Sequence, residues 1–190
     1  MKASNSALID SLAHSIEKKD NLSRNSYKKY AVRAMLATMF LTLGTGIAFY
    51  ISMYVDEIVP HAGKLFYAFM FSWSLVMIVY MNAELGTSNM MYMTSAVYNK
   101  KLRFWTAAKI LAICIFFNFV GALVFSWLMS QTNAFNHLPA DSYLFEAVSA
   151  KLAKTPWSQF IEGIFANIVV NTAVFCTLRM KDDAAKVISM

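Results

Sequence analysis

The sequence predicts an all-α integral membrane protein with four membrane-crossing blocks, the second of them broken. Three observations lead there. Of 190 residues, 58% are hydrophobic and 15% aromatic, too apolar for a water-soluble domain of this size. The apolar residues come in long blocks, and none alternates with period two, so helices are expected rather than barrel strands. The basic residues gather beside those blocks, so membrane topology explains the net charge of +6 better than nucleic acid does.

Residues 1–30 are polar, without the apolar core and cleavage site of a signal peptide. Leu8, Ile9, Leu12, Ala13 and Ile16 are spaced for an amphipathic helix at the inner membrane surface or under a channel mouth. We read 1–30 as a cytoplasmic amphipathic segment and 31–190 as the membrane domain. The first block, Ala34–Val55, is uncharged and opened by Arg33. The second, Leu65–Asn99, carries one formal charge, Glu84, inside Asn82-Ala83-Glu84-Leu85-Gly86-Thr87-Ser88-Asn89. As one helix it would be about 52 Å long, against a bilayer core of about 30 Å. An interruption at the polar residues is therefore expected, and such a break is tolerated only where backbone is buried in protein or lines a watery cavity. That points to a pore or transport site. The third block runs from about Ile110 to Met129. The outer segment Asn133–Thr155 contains His137, Pro139 and a second amphipathic stretch, Tyr143–Leu152, before Pro156 introduces the fourth block, Phe160–Leu178.

Basic residues set the orientation. Seven precede the first block, four follow the second (Lys100, Lys101, Arg103, Lys109) and three follow the fourth (Arg179, Lys181, Lys186). The opposite side holds Lys64, Lys151 and Lys154. Both termini are expected in the cytoplasm, at the cell membrane.

Glu84 is costly to bury as a charge, so it should face a cavity, find a cation or stay protonated. It could equally tie down the break. Gly86 would relieve the backbone there. Thr87, Ser88 and Asn89 would cap a helix restarting at Met90, aiming its N–H groups and positive dipole end at an anion in the membrane centre. Asn118 and Gly121 suggest close helix packing, and Asn167 and Asn171, four apart, suggest interhelical hydrogen bonds. Cys114 and Cys176 read as inert buried thiols. His14, His61 and His137 fall outside the blocks. With no hydrolase motif, phosphate loop or metal-spaced cluster, neither an enzyme nor a cofactor is expected.

Taken together, these residues resemble the formate/nitrite transporter family of formate, nitrite and hydrosulfide channels. Phe71-Ser72-Trp73-Ser74-Leu75 and Ala83-Glu84-Leu85-Gly86-Thr87-Ser88 resemble its second span and the acid-Leu-Phe-Thr-Ser loop. Asn118-Phe119-Val120-Gly121-Ala122 resembles its third span, and Gly163-Ile164-Phe165-Ala166-Asn167-Ile168-Val169-Val170 its fourth. The resemblance, from about Lys28 onward, implies an aquaporin-like fold: six helices in two inverted repeats, one pore per protomer, assembled as a homopentamer in the lipid bilayer. It implies that Phe71, Leu75 and Val170 line or narrow the pore, and that Leu85, Gly86, Thr87, Ser88 and Asn89 form the interrupting loop. Lys151 would draw in small monovalent anions and favour protonating them, while Glu84 and Asn167 would hold that region in place. Gly86 stands where the family usually has Phe, which implies a wider constriction or a more mobile loop. Relative to the family, the chain reads as the first four spans of a C-terminally truncated protein, without the central pore histidine. The leading expectation is an anion channel passing the neutral acid or an anion with a proton. The alternatives are a non-conducting homologue that joins intact subunits, and a small dual-chain exporter with Glu84 as its proton site.

Overall fold

A computed structural model describes residues 2–135, 138 and 143–190. His137 and Pro139 lie outside the described residues. Every described element is helical. Helix α1 spans Lys2–Asn25, and after Ser26 the chain enters α2, Tyr27–Ile58. This helix is the central strut, packed between α3 (Gly63–Tyr80) and α5 (Phe104–Ser130). Small side chains make that possible. Ala34, Ala37, Gly44 and Ala48 are buried along α2, letting neighbouring backbones approach as membrane helices prefer. At Gly44 the hydroxyl of Ser74 on α3 fills the position a Cβ would take.

Gly121 marks the other crossing, as the sequence suggested. A Cβ there would lie 2.7 Å from Met35 Cα and 2.8 Å from the Met35 carbonyl oxygen. Because the obstruction is backbone, Gly121→Ala must push α2 and α5 apart. It should destabilise the protein by about 1–3 kcal/mol, measured by unfolding in detergent micelles. An unchanged unfolding midpoint would show that the crossing is looser than these distances.

The second block divides where the polar residues begin. Helix α3 stops at Tyr80 and α4 runs Gly86–Tyr98. The stop is a backbone device: Asn82 takes φ 51°, its N–H bonds to Val79 O at 3.2 Å, and Ala83 N–H reaches Ile78 O at 2.9 Å. This is the left-handed C-terminal motif that asparagine tolerates. Lys100, φ 55°, ends α4 the same way, with Lys101 N–H on Ala96 O at 2.8 Å. The restart falls at Gly86 rather than Met90. Thr87, Ser88 and Asn89 therefore lie inside the first turn of α4, and the N-cap is Leu85, which has no capping side chain.

Helix α5 begins at Phe104, six residues before the expected Ile110, so Lys109 is helical. A short 3₁₀ turn at Asn133–Phe135 and helix α6, Tyr143–Leu152, follow it. Pro156 then opens α7, Pro156–Arg179, behind Thr155, whose hydroxyl accepts Ser158 N–H at 3.2 Å. The last helix, α8 (Asp183–Ser189), is tied to the end of α3 by Tyr80 OH on Asp183 O at 3.1 Å. Helices α2, α3, α5 and α7 are each long and apolar enough to cross a membrane. Over its most apolar stretch α2 is 44% buried and α7 only 6%. Large side chains such as Phe69, Trp127, Phe165 and Val169 face outward, an apolar surface that calls for lipid or partner helices.

Two cores result. One joins Ile16 of α1 with Tyr30, Tyr92, Met93, Ile110, Cys114 and Val174. The other packs Ala37, Phe40, Ile78, Ala83 and Leu85 where α2 and α3 meet the break. The amphipathic α1 thus docks Leu12, Ile16 and Leu22 on the bundle while Ile9 stays exposed.

Candidate functional site

The segment Met81–Leu85 between α3 and α4 is held from three directions. Glu84 N–H donates to Arg33 O of α2 at 3.0 Å. Asn118, in the middle of α5, does the rest. Its amide nitrogen donates to Ala34 O at 2.7 Å and Glu84 O at 2.9 Å, and its oxygen accepts Gly86 N–H at 2.7 Å. A side chain from another helix therefore supplies the missing cap of α4, satisfying one of the amides a helix start leaves open. Gly86 is hemmed in by Asn118 Oδ1 and Ile115 Cγ1, each 3.2 Å from where a Cβ would stand. Its φ is not positive, so close approach, and not backbone freedom, explains the glycine. The amide of Gly86 is thereby held by Asn118.

The Glu84 carboxylate is 4% exposed and finds a cation. Lys19 of α1 places Nζ 2.6 Å from Oε2, and the same ammonium lies 4.8 Å from the centre of the Tyr92 ring. Asn89 Nδ2 approaches Glu84 Oε2 at 3.0 Å, Tyr30 OH at 3.1 Å and Cys114 Sγ at 3.1 Å. Cys114 in turn donates to Glu84 O at 3.2 Å. Next to Lys19, Lys18 reaches Asn82 Oδ1 at 2.8 Å. Two consecutive lysines of α1 are thus clamped to the break. A cavity of about 190 Å³ lies beside them, lined by Lys18, Asn82, Glu84, Ser88, Tyr92 and Thr177 among others.

Sequence reasoning missed Lys19, Tyr30 and Cys114. A cation was one of three outcomes the sequence allowed Glu84, beside a cavity and a proton, but nothing in the sequence chooses Lys19 among seventeen basic residues. Cys114 is a free, fully buried thiol, as expected, and in addition donates a hydrogen bond within the network.

The remaining site residues are dispersed. Phe71 stacks on Tyr67 with ring centres 6.0 Å apart. Leu75 packs against the first core and Leu85 is buried in the second. Ser88 Oγ donates to Leu85 O at 3.1 Å. Among the described residues Thr87 Oγ1 is buried without a hydrogen-bond partner, as are Asn167 Oδ1 and Asn171 Oδ1 on α7, a helix in contact with α4. Asn167 donates within its own helix to Gly163 O at 2.8 Å. The expected interhelical bonds of Asn167 are not made among the described residues, because α7 is the least enclosed of the long helices. Val170 lies half-buried on the same helix. Lys151 is exposed near the end of α6 and makes no ion pair among the described residues, whereas Lys154 is paired with Glu162 at 2.6 Å.

Comparison with known proteins gives a consistent result. Residues 6–190 match the sequence model of the formate/nitrite transporter family. The uncharacterized transporter YwcJ of Bacillus subtilis (strain 168) is 26% identical over 173 residues, 91% of this chain and 68% of the relative. A formate-nitrite transporter of Plasmodium falciparum (isolate 3D7) is 30% identical over 171 residues, 83% of this chain but 55% of the relative. The chain thus spans about half the length of that relative. Among solved structures, an FNT family ion channel superposes with a TM-score of 0.86 at 22% identity, covering 97% of this chain and 72% of the other, which establishes a shared fold. With its family match running through all the long helices and the break between α3 and α4, the chain belongs to the formate/nitrite transporter family.

Proposed function

We propose that the protein carries small monovalent anions of the formate, nitrite or hydrosulfide type across the cell membrane, as neutral acids or together with a proton. The observation that carries this reading is the buried Thr87 hydroxyl. It sits on the first turn of α4 with no partner among the described residues, and a buried polar atom left so costs about 1–3 kcal/mol unless water or a ligand meets it. In this reading α3 and α4 are one interrupted span among four, and α4 directs Thr87 and its dipole toward the substrate. Phe71, Leu75 and Val170 form the apolar walls. Leu85, Gly86, Ser88 and Asn89 shape the break, and Asn167 and Asn171 offer polar atoms from α7. Lys19 already neutralises Glu84, so Glu84 acts by holding the break. A bare anion between Phe71 and Leu75 is far costlier than the neutral acid, hence the coupling to a proton. Relatives named for formate and nitrite support the substrate class. The resemblance supports a six-helix aquaporin-like protomer and a homopentamer for the whole protein.

Lys151 raises the local anion concentration at the outer mouth. In the whole protein reconstituted into liposomes, Lys151→Gln should lower uptake of labelled formate or nitrite severalfold more than Lys154→Gln, since Glu162 already neutralises Lys154. Thr87→Val, which keeps the shape and removes the hydroxyl, should lower uptake further. Equal uptake by all three variants and the parent would refute the reading.

Both termini lie in the cytoplasm on the basic-residue bias. In a Cys176→Ser background, cysteines at Asp10 and Ala184 should resist an impermeant thiol reagent in intact cells, and one at Ala150 should react. Labelling at Asp10 from outside would reverse the topology.

A further inference from the structure

A second polar-apolar feature lies where α1 passes into α2 beside the start of α5. Arg24, Tyr27, Trp105, Lys109 and Ile113 line a groove of about 650 Å³, with Asp20 also on its wall. Its upper part is basic. Arg24 uses Nε to hold Asp20 Oδ1 at 2.6 Å, and its side chain remains more than half exposed. Lys109 is exposed and makes no ion pair among the described residues. Its lower part is apolar. Ile113 and Phe117 follow Lys109 at helical spacing on α5, and Phe117 meets Tyr27 edge to face with ring centres 5.8 Å apart. Trp105, 80% exposed, stands one helical turn before Lys109, at the basic end of the groove.

The order along α5 is therefore cation, then aliphatic, then aromatic, over about 12 Å. A phospholipid presents the matching order: phosphate, glycerol, acyl chain. Tryptophan prefers that boundary, and long basic side chains reach from an apolar helix to headgroup level. Basic pockets between membrane helices on the cytoplasmic side suit anionic headgroups.

We propose that this groove binds one anionic phospholipid of the inner leaflet. Its phosphate lies between Arg24 and Lys109 with Trp105 beside the headgroup, and one acyl chain runs along Ile113 and the Tyr27–Phe117 pair. The inference goes beyond the transport reading and shares with it only the assumption that α2 and α5 cross the membrane with the N-terminus in the cytoplasm. Its test does not involve transport, so the two fail separately.

The whole protein, extracted in mild detergent, is weighed by native mass spectrometry. It is then delipidated and titrated in mixed micelles with phosphatidylglycerol or phosphatidylcholine of the same chains, following thermal unfolding. One retained anionic lipid per chain is expected, with stabilisation by phosphatidylglycerol only. The Arg24→Gln/Lys109→Gln double variant should weaken binding by about tenfold or more. Lys181→Gln, an exposed lysine on the same side but outside the groove, should leave it unchanged. Should the double variant fail to fold by circular dichroism, Lys109→Gln alone, a change at an exposed side chain, carries the comparison with a loss of about threefold or more. Equal stabilisation by the two lipids, an equal loss in Lys181→Gln, or equal stabilisation by soluble glycerol phosphate would each overturn the proposal. The last would mean an anion site without a lipid.

Discussion

Asn118→Leu should destabilise the protein by about 3 kcal/mol, although the substitution keeps roughly the same volume. Asn118 makes three hydrogen bonds to backbone: to Ala34 O, Glu84 O and Gly86 N–H, all between 2.7 and 2.9 Å. Leucine satisfies none of them. In a water-soluble core three orphaned groups would cost about 1–3 kcal/mol each. Membrane interiors return smaller values, near 0.6 kcal/mol per bond on average, because the unfolded chain in lipid also finds partners. The estimate lies between those limits. Asn118→Asp sharpens the test. Its carboxylate can still accept from Gly86 N–H but faces the Ala34 and Glu84 carbonyls without a proton to offer. It should be as damaging as leucine or worse. Reversible unfolding in detergent with a denaturing surfactant measures both. A loss under about 1 kcal/mol for Asn118→Leu would show that packing and the bonds to Arg33, Lys18 and Lys19 hold the break without Asn118.

The second large effect is a coupling. Lys19 and Glu84 are 13% and 6% exposed and 2.6 Å apart. At an effective dielectric constant of about 20 their attraction is about 6 kcal/mol, before the cost of removing both from water. Glu84→Gln leaves an enclosed ammonium with the Tyr92 ring as its remaining counterpart. Lys19→Met leaves an enclosed carboxylate supported only by Asn89. Each single variant should lose about 2–3 kcal/mol, less than a fully buried pair would, because α1 can swing Lys19 toward water. The double variant should recover most of that loss, with a coupling of about 2 kcal/mol. Screening should be weak, since the pair is enclosed, so the coupling should persist at high salt. Additive losses would mean that α1 is held by Leu12 and Ile16 rather than by this ion pair.

Much of the architecture was readable from one-dimensional pattern. The four long apolar helices, the polar break in the second block, the helical N-terminal segment, Pro156 at a helix start and Gly121 at a close crossing all follow from local rules. Hydropathy measures transfer free energy residue by residue, and glycine and proline act on their own backbone. The site was less legible. Asn82 rather than Gly86 ends α3, and that signal was present in the sequence, since asparagine is the commonest non-glycine residue at such a C-terminal turn. It was hidden by the glycine four positions on.

Other features were beyond sequence. Thr87, Ser88 and Asn89 look like caps because they have the right side chains, yet α4 starts at Gly86 because Asn118, thirty-two residues away, caps it from α5. Likewise, sequence alone requires that Glu84 face a cavity, meet a cation or lose its charge, because desolvation penalises any lone carboxylate. Only the tertiary structure decides that the cation is Lys19, sixty-five residues earlier on α1, and that Tyr30, Asn89 and Cys114 complete the enclosure. Local preferences and transfer energies are properties of each residue and can be read in order along the chain. The choice of a hydrogen-bond or ion-pair partner depends on which distant helices pack together, and that is fixed by small residues such as Gly44 and Gly121 allowing α2, α3 and α5 to meet.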